Sequence, residues 1–158
     1  MVEEKSMEPI RTEYRGNKVY VIFQDEERQS ALYLYNGYYE ISLSTTRGID
    51  ETVASMLHEY GHLMSDMEKP MEQVEAEGRL RRGSHVYCIQ DECDAWINGI
   101  LFFKEQHLTI PPDLMEDMVE SLNSYMYPLT EEDAVFFEAG KAIVVETLYK
   151  VKQLMEET

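Results

Sequence analysis

At Gly48 the apolar residues of this chain change their spacing, and that change limits the possible folds more than any other feature. From about Asn17 to Arg47 three runs, KVYVIF, ALYLY and YYEISLS, are dense in Val, Ile and Tyr and read as strands. Asn36-Gly37 lies between the second and third, and a type I′ hairpin turn needs the positive φ that this pair accepts. The runs predict a three-stranded antiparallel meander. After Gly48, Val53, Met56, Leu57, Tyr60, Leu63 and Met64 recur every three or four residues, the stripe of a helix capped by Asp50 and running to about Ser65. Further helices are expected from Val86 to about Glu105, from Pro112 onward, and from a Thr130/Asp133 capping box nearly to the C-terminus. Strands first and helices after define an α+β chain, with a small antiparallel sheet, one helix beside it and a helical C-terminal half.

The first helix reads His58-Glu59-Tyr60-Gly61-His62, a match to H-E-x-x-H. Imidazoles at i and i+4 share a helix face, so both nitrogens can reach one Zn²⁺ at about 2.0–2.1 Å. Glu59 projects beside them, placed to hold and deprotonate a metal-bound water. The pair falls opposite the apolar stripe, where two solvated residues would also satisfy the pattern. Gly61 costs about 1 kcal/mol against Ala inside a helix, which points to close approach by another element. A metzincin would carry Gly three and His six residues after the second His, whereas this chain has Ser65 and Glu68. Asp66, Glu75, Glu77, Asp91, Glu92 and Asp94 are therefore the candidates for a third ligand. Glu92 has Cys88, Ile89, Ala95 and Trp96 one turn to either side, and an ionised carboxylate in that arc is costly unless paired or metal-bound. Asp91 and Asp94 fall on the polar side. Glu92 is the expected ligand, and Asp66, four residues past His62, is the alternative.

HEYGH, preceded by a small sheet and followed about thirty residues later by Glu92-Cys93-Asp94-Ala95 on a second helix, resembles the ImmA/IrrE family of gluzincin-type metallopeptidases. The resemblance covers roughly residues 20–105. It implies that His58, His62 and Glu92 hold zinc, that Glu59 is the general base, and that the fold is a stripped-down thermolysin-like core. Members of that family cleave DNA-binding repressors. The expected function is thus zinc-dependent hydrolysis of a specific cytoplasmic protein, such as a transcriptional repressor. The other reading is a zinc-stabilised interaction module that binds a partner without cutting it. His85 or Tyr87, just before the Glu92 helix, would stabilise the oxyanion, and the Tyr38–Ser44 strand would offer its edge to a peptide.

At 158 residues the chain suits one domain. Residues 1–15 are charged throughout and read as a disordered segment, leaving 16–158 as the domain: sheet over 16–48, metal-site helices over 50–106 and C-terminal helices over 112–157. Residues 66–84 read as a charged loop or a short exposed helix holding Arg79, Arg81 and Arg82. Elsewhere acids dominate. With 31 Asp and Glu against 14 Lys and Arg the net charge is −17, a field that repels phosphate backbones and anionic membranes. Direct nucleic-acid and membrane partners are not expected. Residues 1–15 lack the apolar stretch of a secretory signal, no apolar run of about 18 residues occurs, and Cys88 and Cys93 are poorly spaced for a disulfide, so a reducing, cytoplasmic setting is expected.

Overall fold

Two hairpins build the sheet. β1 (Ile10–Tyr14) pairs antiparallel with β2 (Asn17–Gln24), and β3 (Ala31–Tyr35) pairs antiparallel with β4 (Tyr38–Ser44). This computed structural model describes residues 8–27, 30–35, 37–67, 85–124 and 131–157, without the side chains of 85–88 and 131–139. Gly16 and Gly37 carry φ of 80° and 93° at the two turns, the left-handed geometry that a Cβ disfavours.

The hairpins join through β2 and β4, which run parallel with Val19 beside Tyr39, Val21 beside Ile41 and Phe23 beside Leu43. The order is β1-β2-β4-β3. The α+β class holds, but the expected meander is corrected to a mixed four-stranded sheet. Burial explains the order: Tyr39, Ile41 and Leu43 are buried along β4, whereas β3 leaves Tyr33, Leu34 and Tyr35 exposed. The more apolar strand takes the centre, since a parallel pairing is stable where both neighbours cover it. β1 lies within the segment expected to be disordered, its short strand held by the ladder to β2 although four of its five residues are exposed.

Four helices follow: α1 (Ile49–Met67), α2 (His85–Glu105), α3 (Leu114–Ser124) and α4 (Glu131–Glu156). Thr52 N–H donates to the Gly48 carbonyl, so the helix is entered at Gly48, and Asp50 belongs to its first turn rather than capping it. An acid there is favoured by the helix dipole. Likewise Pro112 lies in the turn before α3. Thr130 lies outside the described residues.

α1 and the C-terminal half of α2 cover the inner face of the sheet. There Tyr60 stacks on Phe102 at 4.3 Å between centroids, and Tyr14 meets Phe102 edge-on at 5.1 Å. α4 packs on α2, and Lys104 Nζ donates to the Leu154 and Glu157 carbonyls that end it. His107 has φ of 56° just after α2. No helix among the described residues is long and apolar enough to cross a membrane.

α1 and α2 approach closely because each presents a glycine to the other. A Cβ on Gly61 would stand 1.7 Å from the Ala95 carbonyl oxygen, and one on Gly99 would stand 2.2 Å from that of Leu57. The close packing expected from Gly61 is present. Beside it Asn98 Nδ2 donates to Ser65 Oγ at 2.8 Å, and that hydroxyl donates to the Gly61 carbonyl at 3.1 Å. This crossing sets the distance between the chemistry-bearing faces of the two helices.

Candidate metal centre

His58 and His62 project from α1 one turn apart, and Glu92 meets them from α2. Glu92 Oε2 lies 2.7 Å from His58 Nε2, Glu92 Oε1 lies 3.3 Å from His62 Nε2, and the two Nε2 atoms are 3.2 Å apart. Among the described residues these three form a group close enough to bind a metal ion. Ligands about 2.0–2.1 Å from a tetrahedral ion stand about 3.3 Å from one another, close to the separations here. Asp66 lines the same cleft but does not join the group. The His pair is not solvated: His58 is 9% exposed, and Glu92 and Trp96 of α2 lie against it.

The donor chemistry fits a cation. Despite its 2.7 Å approach, Glu92 Oε2 is buried and makes no hydrogen bond of acceptable geometry among the described residues. Where both Nε2 atoms are acceptors, their lone pairs and those of the carboxylate converge on one point, which is repulsive without positive charge at the centre. A proton can serve. Burial pulls the His62 imidazolium down, but the carboxylates of Asp91 and Glu92 outweigh it and push His62 up to about 10. Burial raises Glu92, and contacts with His58 and His62 reverse that and hold it well below the usual carboxylate range.

These shifts carry a sign. The raised His62 stabilises the metal-free fold fully below its unfolded value of 6.5, an effect lost as pH rises through about 10. The depressed Glu92 stabilises it above 4.5, an effect lost as pH falls through its folded value. The interaction is therefore strongest between those two unfolded values. A metal must displace the His62 proton, so binding at neutral pH is expected to release one proton from that ring, with affinity rising about tenfold per pH unit toward His62's value. Titration calorimetry in buffers of different ionisation enthalpy checks this; uptake or no exchange of protons contradicts it.

Asp91 was assigned to the polar side, and the structure corrects this. Its Oδ2 stands 3.4 Å from His62 Nδ1, with its side chain 10% exposed. A carboxylate behind a ligating imidazole orients the ring and raises its basicity. The only signal in the sequence was an acid next to Glu92, and helix periodicity placed it facing away because it ignores how closely α1 approaches. Trp96 was also missed as a site residue: its ring lies 4.4 Å from the His58 ring.

Glu59 is buried at 6% exposure. Burial raises its pKa above the ordinary carboxylate value, against the lowering effect of His58 and His62. It lines, with His58, His62 and Glu92, a cleft of about 690 Å³ whose walls, among the described residues, come from β3, the end of β4, α1, α2 and α3. His85 and Tyr87 stand in the first turn of α2, and their side chains lie outside the described residues, as do Arg79, Arg81 and Arg82. β4 is paired on both sides, so the edge strand at the cleft is β3, not Tyr38–Ser44.

No protein-family model, curated protein or solved structure matches the chain. The functional reading therefore stands on the site itself.

Proposed function

We propose that this chain is a zinc-dependent peptidase acting on a specific cytoplasmic protein. The carrying observation is the convergence of His58 Nε2, His62 Nε2 and the Glu92 carboxylate beside a buried fourth side chain, Glu59, that is outside the ligand group. Two imidazoles and one carboxylate are a donor set suited to zinc with an open position. The likeness of HEYGH and Glu92-Cys93-Asp94-Ala95 to the ImmA/IrrE pattern supports the same ligands, and extends the proposal to a transcriptional repressor as substrate.

A divalent ion held there supplies Lewis acidity, polarising a scissile carbonyl and acidifying water. Glu59 accepts the proton on its carboxylate and returns it to the departing amine. A carboxyl whose proton affinity is raised by burial holds that proton through the reaction better than an exposed one. Asp91 keeps His62 Nδ1 engaged and Nε2 turned to the centre, while Trp96 shields His58 from water.

Glu59→Gln is expected to reduce peptide hydrolysis by about 10²–10⁴-fold while the metal content stays at the parent level. Elemental analysis of native protein and digestion of a peptide library check the two halves. Unchanged hydrolysis, or the absence of zinc from native protein, would sink the proposal.

A further inference from the structure

The cleft follows α1 from Glu51 at one end to Asp66 at the other, with His58 and His62 between them. At 1.5 Å per residue this is about 22 Å, the length of about seven residues of extended chain. Asp117 and Glu120 of α3, and Glu27 on the connection to β3, also line it and gather at the Glu51 end. Glu27, Glu51, Asp117 and Glu120 thus stand on one side of the centre, and Asp66 stands on the other. Arg47 is the one Lys or Arg lining the cleft among the described residues, and it lies 3.9 Å from Glu27 and 4.0 Å from Glu51. Asp117 is raised first by burial and then by Glu51, Asp113, Glu120 and Glu116, so like charges from two helices crowd one space.

One further feature points to an occupant. The His58, His62 and Glu92 group lies in this cleft. The edge strand β3 adds backbone groups at the same place, through Ala31 and Leu32.

We propose that this cleft selects an extended polypeptide segment with Lys or Arg on both sides of the bond presented to His58, His62 and Glu92. This rests on the peptidase reading and supplies its substrate class. A net charge of −17 attracts polycations to the whole surface; selection by the cleft differs because it depends on where the acids stand.

The test uses the zinc-loaded full chain and peptides of equal length with one central sequence, flanked by Lys, Gln or Glu. Lys-flanked peptides are expected to be cut with kcat/KM about 10-fold above the Gln series, and the Glu series below both, with the difference shrinking at high salt. Asp117→Asn/Glu120→Gln, and separately Glu27→Gln/Glu51→Gln, should reduce that preference to about twofold. Glu146→Gln/Glu156→Gln, on α4 away from the cleft, should retain it. Equal cutting of the three series, or loss of preference in the α4 variant as large as in the wall variants, overturns the proposal. If nothing is cut, binding of labelled peptides by anisotropy separates the two claims: Lys preference abolished only by the wall variants keeps the cationic cleft and removes the peptidase, whereas binding without that dependence removes the cleft as well.

Discussion

Gly61→Ala is expected to lower the melting temperature by about 4–8 °C and to remove metal binding with it. The added methyl carbon would be placed 1.7 Å from the backbone oxygen of Ala95 and 2.9 Å from its Cα. No rotamer relieves a contact made by Cβ with backbone, so α1 and α2 must move apart. Overpacking of this kind costs about 3 kcal/mol, and the roughly 2 kcal/mol left after the gain in helix propensity corresponds to that shift for a chain of this size. Helix propensity argues the other way, since Ala is better than Gly in a helix by about 1 kcal/mol. The sign therefore discriminates: a helix that merely tolerates glycine would be stabilised, and one that needs it would be loosened. The same separation carries Glu92 away from the imidazoles, because Ala95 lies three residues after it on α2. Calorimetric melting with and without zinc checks both parts. A variant that melts at or above the parent temperature refutes the close-approach account.

Glu92→Ala is expected to weaken zinc binding by on the order of 10³-fold. Partners behind a ligand are worth about 10–100-fold, and a ligand that must be deprotonated and placed by folding contributes more. Glu92 contacts both rings, at 2.7 and 3.3 Å, so its loss also removes a carboxylate that holds the His62 proton. The zinc-induced rise in melting temperature should disappear at concentrations that saturate the parent. Asp66→Ala is the comparison, because Asp66 lines the cleft outside the ligand group; its affinity should stay within about threefold. Competition against a chromophoric chelator measures both variants. Equal affinities for parent and Glu92→Ala would show that the ion, if bound, uses another acid.

Local pattern was enough for β2, β3, β4 and the helices, but not for β1, whose exposed residues are held as a strand only by the ladder to β2. Period two before Gly48 and a three-to-four spacing after it are consequences of side-chain direction within one strand or one helix, so the chain carries them without reference to anything distant. The same is true of His58 and His62, whose shared face follows from one helical turn. Glu92 was legible one step further out, because an acid among Ile89, Ala95 and Trp96 needs a reason that a cation supplies. Gly61 announced a close neighbour without naming it.

Tertiary structure decided what depends on two elements meeting. β4 lies between β2 and β3, with the exposed β3 at the edge, because burial of Ile41 and Leu43 against α1 outweighs the simpler order of a meander. Asp91 reached His62 because glycines on both helices remove the space that periodicity assumes between them. The acids of Glu51 and Asp117 face one cleft although 66 residues separate them, and only the packing of α3 near α1 makes their charges add. The sequence alone determined which side chains can bind a cation and on which helical faces they stand; the helix crossing decided whether those faces meet, since ligand geometry depends on the distance between two backbones and no single segment encodes it.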